Sequence, residues 1–459
     1  MGVDAADWHG LERVMHRAPP GPRGGLSLLR SLRADPLCAV VSLVAQYGDV
    51  VGFRIGGRRV LLLRHPEDVQ RVLQARQSRY SKRTLPISRL RSVLGDGLVT
   101  SEGASWRRQR RALQPAFREA AIHAMIPVVA ETVSRDLAIW AEHASEGTSL
   151  DAAAEMRRLA FKIVGEAMLG QDLADIVDDA RYAVERLQNQ AIFRLYRPVS
   201  LPLWLPTPGN LAFRRSLRRL QRIVMRILEE LRMRGGDAGI LYPHLLETCG
   251  SGLTDRDRER QLRDELLTML LAGHENTGNA LAWMLGLLCA HRDMERTAFE
   301  EVDRQLRGRT PTPERLARMP FTRQIVRESL RLFPPSWLLV RRAEVEDSVR
   351  GYRIKKGSLV LVSPFLTHRH PDFWPDPERF DPGRFAPSAA PRHRYSYFPF
   401  GGGRRRCIGE KFALVEMQIV LCAVLERFTL QPEVPELASP RAMVSLAPDG
   451  GIWMRPQMR

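Results

Sequence analysis

The sequence predicts a mainly α-helical fold with small β-sheets, a single large domain crossed by one long central helix. Three observations carry this prediction. A helical pattern runs without proline from Thr254 to about His291. Apolar residues elsewhere recur mostly at helical spacing, and strand-like runs are confined to short stretches around glycine turns. The central helix would be roughly 37 residues, or about 55 Å at the α-helical rise, longer than a small domain is wide. It must therefore cross the body of a large one. Thr254 with Asp257 three residues later resembles a capping box at its start.

The other elements follow in order. Residues 1–18 read as a flexible N-terminal segment, polar from Met1 to Arg17, without the apolar stretch of a signal peptide or membrane anchor. Pro19-Pro20-Gly21-Pro22 ends it, and residues 19–459 read as one domain, without repeat, low-complexity tract or linker. Residues 49–64 suggest two strands around Gly56-Gly57. Leu217, Leu220, Ile223, Val224, Ile227, Leu228 and Leu231 form one apolar stripe with arginines opposite, more often a helix packed on its own domain than one lying on a membrane. A second small β unit is expected at Tyr352–Ile354 and Ser358–Val362 around Lys356-Gly357, and residues 371–394 read as irregular.

Composition narrows the function classes. The 459 residues are 44% hydrophobic and 27% charged, ordinary for a globular chain, but the net charge is +18. Arginine supplies most of it. Such a balance suits an acidic protein, a nucleic acid or a membrane surface, or reflects a general taste for arginine, since the charge is dispersed. The five cysteines are widely spaced without a C-x-x-C pair, which excludes a disulfide framework and a cysteine-rich zinc site. A reducing cytoplasm fits that usage. No run reaches the roughly 18 to 20 apolar residues of a membrane-spanning helix.

The most specific signal is a loop. Residues 398–413 read Phe-Pro-Phe-Gly-Gly-Gly-Arg-Arg-Arg-Cys-Ile-Gly-Glu-Lys-Phe-Ala, followed by an apolar helix through Phe412, Val415, Ile419, Val420, Val424 and Leu425. Cys407 thus sits where a glycine-rich loop enters a helix, and backbone N–H groups with the helix dipole favour a thiolate there. The glycines would let the backbone approach a flat ligand, and the arginines could pair with its carboxylates. A cysteine before a helix is by itself usually a small buried hydrophobe. The loop matches neither a Walker-type nor a dinucleotide-binding phosphate cradle.

Phe400-x-x-Gly403-x-Arg405-x-Cys407-x-Gly409 resembles the full haem-binding signature of the cytochrome P450 family. The resemblance implies haem b, with Cys407 as axial thiolate, Phe400 and Gly409 beside it and Arg405 on a propionate. A thiolate ligand favours O–O cleavage. Other segments are similar to family motifs in the same order. Trp106 and Arg110 match the W-x-x-x-R pair aimed at a propionate, and Arg341 a further propionate arginine. Glu328 and Arg331 match E-x-x-R, completed as a structural triad by Arg384 in Phe380-Asp381-Pro382-Gly383-Arg384-Phe385.

Ala272-Gly273-His274-Glu275-Asn276-Thr277 lies midway along the predicted long helix. It is not a zinc-protease site, because Gly278 stands where H-E-x-x-H needs histidine. In the family this segment lies over the haem, and an acid and a threonine organise the water that passes protons during oxygen activation. Here Asn276 occupies the threonine position. A carboxamide holds water but relays protons poorly, whereas hydroxyls donate and accept. The expected catalytic set is Glu275, Asn276 and Thr277, with rescue by Thr277, by water on Asn276 or by a substrate hydroxyl.

The resemblance implies a monooxygenase that inserts one atom of O2 into an apolar, medium-to-large substrate of fatty acyl, terpenoid or polyketide type, as in bacterial secondary metabolism. Phe193, Trp204, Ala272, Trp337 and Leu338 are the expected substrate-facing residues. Electrons would come from a separate acidic ferredoxin and its reductase, steered by Arg107, Arg108, Arg111, Arg404, Arg406 and Lys411. One alternative, motivated by Asn276, keeps the haem but uses peroxide or catalyses a rearrangement without oxygenation. A more remote one, motivated by the charge, is a basic nucleic-acid-binding protein. It has no recognition motif and leaves the cysteine loop unexplained, so no nucleic-acid partner is expected.

Overall fold

A computed structural model of the chain describes residues 18–22, 26–173, 175–176, 179, 183, 186–187, 202, 204–235, 239–250 and 252–459. Its longer helices are α1 (Pro36–Tyr47), α2 (Gly103–Leu113), α3 (Glu119–Asp136), α4 (Ala152–Ile163), α5 (Pro208–Arg234), α6 (Asp255–Ala290), α7 (Arg292–Gln305), α8 (Pro320–Leu332) and α9 (Glu410–Arg427). The strands are β1 (Val50–Ile55), β2 (Arg58–Leu63), β3 (Tyr80–Ser81), β4 (Leu150–Asp151), β5 (Leu339–Ala343), β6 (Asp347–Val349), β7 (Tyr352–Ile354), β8 (Leu359–Val362), β9 (Phe428–Pro432), β10 (Pro440–Ala442), β11 (Leu446–Pro448) and β12 (Trp453–Met458).

The central helix forms as its sequence prescribes. The Thr254 hydroxyl accepts from the Asp257 N–H at 3.2 Å, and Asp255 and Asp257 set negative charge against the positive helix end. From Thr277 to Cys289 every residue is buried, so this half is enclosed on all sides, as an all-round apolar helix must be. Gly278 permits the crossing with α4, since a Cβ there would stand 2.6 Å from the Arg157 Cα. α5 begins at the Thr207 cap, whose hydroxyl accepts from the Asn210 N–H. It buries the apolar stripe from Leu220 to Leu231 in the main core, so the packed reading of this basic helix is the one realised.

Strand order in the main sheet is β1-β2-β8-β5-β3, with β2 and β8 parallel and the other pairs antiparallel. The expected hairpin around Gly56-Gly57 is present. The second β unit differs from expectation. β7 pairs with β6, while β8 leaves it to lie between β2 and β5. Leu359–Val362 is the cause: Val360 and Val362 are wholly buried, which suits the middle of a sheet and not an exposed hairpin. β4, β12 and β9 form a second sheet, and β10 with β11 forms a hairpin. Among the described residues, no helix is long and apolar enough to cross a membrane.

Candidate haem-thiolate site

The cysteine loop is held from three sides. Gly401 N–H donates to the Phe398 carbonyl at 2.9 Å and Cys407 N–H to the Phe400 carbonyl at 3.0 Å, closing the loop on itself. Gly403 has φ +64, and a Cβ on it would lie 1.8 Å from the Leu73 carbonyl oxygen, so the loop packs its backbone onto residues 71–75. A Cβ on Gly402 would meet the Tyr395 ring. These two glycines therefore serve contacts with protein, where the sequence suggested approach to a ligand.

Behind the loop runs a chain of buried polar contacts. Arg331 donates through Nε and Nη2 to both Glu328 oxygens at 2.7 and 2.8 Å, and both side chains are fully buried. Its remaining N–H groups donate to the carbonyls of His368, Pro377 and Arg379. Arg384 Nε stands 3.5 Å from Glu328, which also accepts the Asp381 N–H at 2.9 Å. The sequence-predicted triad is thus brought together. Burial pushes the Glu328 carboxyl up, opposed by its bonds to Arg331. His368, fully buried and pushed well below the usual histidine range by that burial, accepts the Phe398 N–H at Nε2. It couples the ion pair to the cysteine loop. Sequence reasoning missed His368, which no motif marks.

Cys407 is exposed to solvent, yet desolvation by surrounding protein raises its thiol. The Gly409 N–H and the Arg110 and Arg406 charges act in the opposite direction. The helix start favours the thiolate through the Gly409 N–H, as expected, and burial opposes it.

Cations gather nearby. Arg405 lies with its Cζ 4.0 Å from the centre of the Trp106 ring, donates through Nη2 to the Ser101 carbonyl, and stands 3.5 Å from Glu102. Its Nη1 is buried without a protein partner. Arg341 on β5 is 8% exposed, with Nη1 donating to its neighbour's carbonyl at Val340. Burial pushes both guanidinium groups down to about 10. Lys82 donates through Nζ to the Val99 carbonyl at 2.6 Å, and burial, aided by Arg341 and Arg405, pushes it down to about 7. Among the described residues, buried Arg341 and the partly buried Lys82 and Arg405 thus share one carboxylate, Glu102. This excess and the orphaned Arg405 nitrogen fit a ligand carrying two carboxylates, which haem is. Lys82 was missed in the sequence, where no motif marks it. Arg110 also acts on Arg405 by its charge, and its Nη1 donates to the Arg406 carbonyl at 3.0 Å.

On α6, Ala272 is exposed in the midst of an otherwise mostly buried helix, and Asn276 one turn on is partly exposed. Asn276 Nδ2 donates to the Ala272 carbonyl at 3.1 Å. Thr277 is 7% exposed, and His274 packs edge-on against Phe161 with its pKa pushed down to about 4 by burial. Glu275 accepts from Ser445 at 2.9 Å. Of the expected substrate-facing residues, Leu338 is partly buried against the sheet core. Trp337 belongs to that core, its indole N–H donating to the Met443 carbonyl at 3.2 Å. Trp204 is 74% exposed on the surface, and Phe193 lies outside the described residues.

A helical fold with a cysteine loop under a cation cradle defines a haem-thiolate protein, and comparison with known proteins agrees. The cytochrome P450 family model matches residues 17–454. The chain is 34% identical to cyclooctat-9-en-7-ol 5-monooxygenase of Streptomyces melanosporofaciens, over 90% of this chain and 89% of that one. It is 30% identical to pentalenene oxygenase of Streptomyces avermitilis, over 86% and 87%. Among solved structures, the haem domain of cytochrome P450DA superposes with a TM-score of 0.86 at 26% identity, covering 97% of this chain and 98% of that one. The chain belongs to the cytochrome P450 family. It is an oxidoreductase of the monooxygenase kind, whose chemistry uses an iron haem, O2 and a redox partner.

Proposed function

We propose that the chain is a haem b monooxygenase that inserts one oxygen atom into an apolar terpenoid, with electrons from a separate acidic ferredoxin and its reductase. The carrying observation is the set of desolvated cations, Lys82, Arg341 and Arg405, which share the carboxylate of Glu102, together with Arg110, whose charge acts on both Arg405 and Cys407. When bound, the haem supplies the oxygen-activating chemistry. Cys407 would ligate its iron, Lys82, Arg341 and Arg405 would hold its carboxylates, and Trp106 keeps the Arg405 guanidinium in plane. Arg110 adds positive charge beside the sulfur.

Asn276 donates one of its two amide N–H groups to the Ala272 carbonyl, and its Oδ1 is an acceptor that a water can use. Thr277, buried one position further round the helix, is a poorer source of the missing hydroxyl. Glu275 with water on Asn276 is therefore the proton-delivering set proposed here. The terpenoid choice is favoured over fatty acyl or polyketide because two relatives are named for acting on cyclooctat-9-en-7-ol and pentalenene. Those names also favour oxygen insertion over the peroxide-driven or rearrangement alternative.

The electron donor would meet Arg107, Arg111 and Arg404, which are exposed. Of the six cations first assigned to this face, Arg406 and Lys411 are engaged with Glu410 and Glu119, and Arg108 donates to the Thr248 carbonyl. The test is a spectral-shift screen on protein whose reduced, carbon monoxide-bound form shows thiolate ligation. Cyclic terpenes and terpene alcohols should shift the Soret band at lower concentration than fatty acids or macrolides. A shift by fatty acids alone would overturn the substrate class, and absence of the thiolate spectrum in haem-replete protein would overturn the site.

A further inference from the structure

We infer that Ser445 is a positioning residue for Glu275: the turn between β10 and β11 supplies, from outside α6, a hydroxyl that α6 lacks at position 276. The inference rests on the catalytic reading of Glu275 given above. Ser445 Oγ lies 2.9 Å from Glu275 Oε1 and 2.6 Å from Asn279 Nδ2, and Asn279 Oδ1 lies 3.3 Å from Arg157 Nη1 on α4. Ser445 and Asn279 are each 1% exposed.

The chemistry of these groups fixes the direction of the chain. An amide N–H and a guanidinium N–H only donate, so Ser445 Oγ accepts from Asn279 and its single proton points at Glu275. Arg157 and Asn279 polarise the chain in the same sense. The result is a donor held against Glu275 Oε1, which favours the ionised carboxylate and fixes its rotamer. Among the described residues, charged Arg157 on α4 acts on His274, whose Nδ1 meets the Leu270 carbonyl and whose ring lies against Phe161.

The turn that carries Ser445 is itself anchored. Leu446 N–H donates to the Pro335 carbonyl at 2.9 Å, Trp283 Nε1 to the Leu446 carbonyl at 3.0 Å, and Met443 N–H to the Ser445 carbonyl at 3.0 Å. Docking of the hairpin is complete in these backbone and indole bonds. The Ser445 hydroxyl is not needed for it: both of its partners are α6 side chains one turn apart. Asn276 is turned back on its own helix, one of its two amide N–H groups donating to the Ala272 carbonyl at 3.1 Å.

The experiment uses the haem-loaded full chain with Ser445→Ala and Ser445→Thr. Infrared titration follows the Glu275 carboxyl band, identified by its loss in Glu275→Gln. Ser445→Ala should raise the titration midpoint by about one pH unit, the worth of one lost bond to the ionised form, and Ser445→Thr should leave it in place. In turnover, the yield of product per reducing equivalent should fall about tenfold in Ser445→Ala and recover in Ser445→Thr. If Ser445→Ala does not fold, Ser445→Cys keeps the volume with a weaker donor and should move the midpoint the same way. A midpoint that stays put in folded variants overturns the inference. The thiolate spectrum and the terpenoid spectral shift do not depend on Ser445, so their failure would strike the proposed function and not this bond.

Discussion

Replacing Glu328 with glutamine keeps its shape and removes its charge, which makes it a clean probe of the pair behind the cysteine loop. Arg331 is fully buried, and Glu328 is its one carboxylate partner, the other acceptors being three main-chain carbonyls. At the 2.7 Å separation found here, attraction at an effective dielectric of 20 is about 6 kcal/mol before desolvation is counted. Breaking one side of a buried pair typically costs about 3–5 kcal/mol, because the remaining charge is stranded. Whole domains are stable by only about 5–15 kcal/mol, so Glu328→Gln should lower the denaturant midpoint sharply. Haem should also be lost sooner, since Arg331 bonds the His368 carbonyl and His368 holds the Phe398 N–H. Glu328→Gln with Arg331→Met removes both charges and should recover a large share of the loss. Denaturant unfolding of Glu328→Gln, Arg331→Met and the double variant, followed at the haem and by circular dichroism, decides the matter. If the double variant is as unstable as the two single losses added together, the pair is not coupled and this reasoning is wrong.

Three further outcomes are expected. Lys82→Met should speed haem loss about tenfold, the worth of one charge-assisted hydrogen bond, measured by transfer to an excess of apomyoglobin; an unchanged rate removes Lys82 from the cradle. The His274 pKa is pushed from 6.5 down to about 4, so the unfolded chain binds the proton first and stability falls as pH drops from 6.5 toward 4. That loss is about 3 kcal/mol at most and should shrink in His274→Gln, read as unfolding midpoint against pH. Gly403→Ala should cost clearly more than Gly57→Ala: both have positive φ, but a Cβ meets the Leu73 carbonyl at 1.8 Å in the first and nothing within 4 Å in the second. Equal losses would mean the cysteine loop does not bear on residues 71–75.

Much of the fold was legible because it is written in local pattern. Thr254 and Asp257 marked the start of the central helix, and the stripe from Leu217 to Leu231 gave the buried face of α5. The spacing around Cys407 placed the ligand loop. Glu328, Arg331 and Arg384 were assigned from their motifs, and in the structure the chain folds back so that Asp381, 53 positions after Glu328, closes onto the pair. What was not legible has a common cause. Strand pairing of Leu359–Val362 depends on which distant strand offers a buried edge. The roles of Lys82, His368 and Ser445 depend on neighbours distant in sequence but adjacent in space, 17 positions away for Val99 on Lys82, 30 for Phe398 on His368 and 170 for Glu275 on Ser445, and no local period encodes them.

The sequence by itself determined the helices, their caps and the chemistry of the cysteine loop, because each follows from residues within a few positions of one another. Tertiary structure alone decided that Gly402 and Gly403 face protein, that burial opposes ionisation of Cys407, and that three cations converge on Glu102. It also brought a serine of the β10–β11 turn to Glu275. Burial and long-range contact set these properties, and both arise only when separate segments pack.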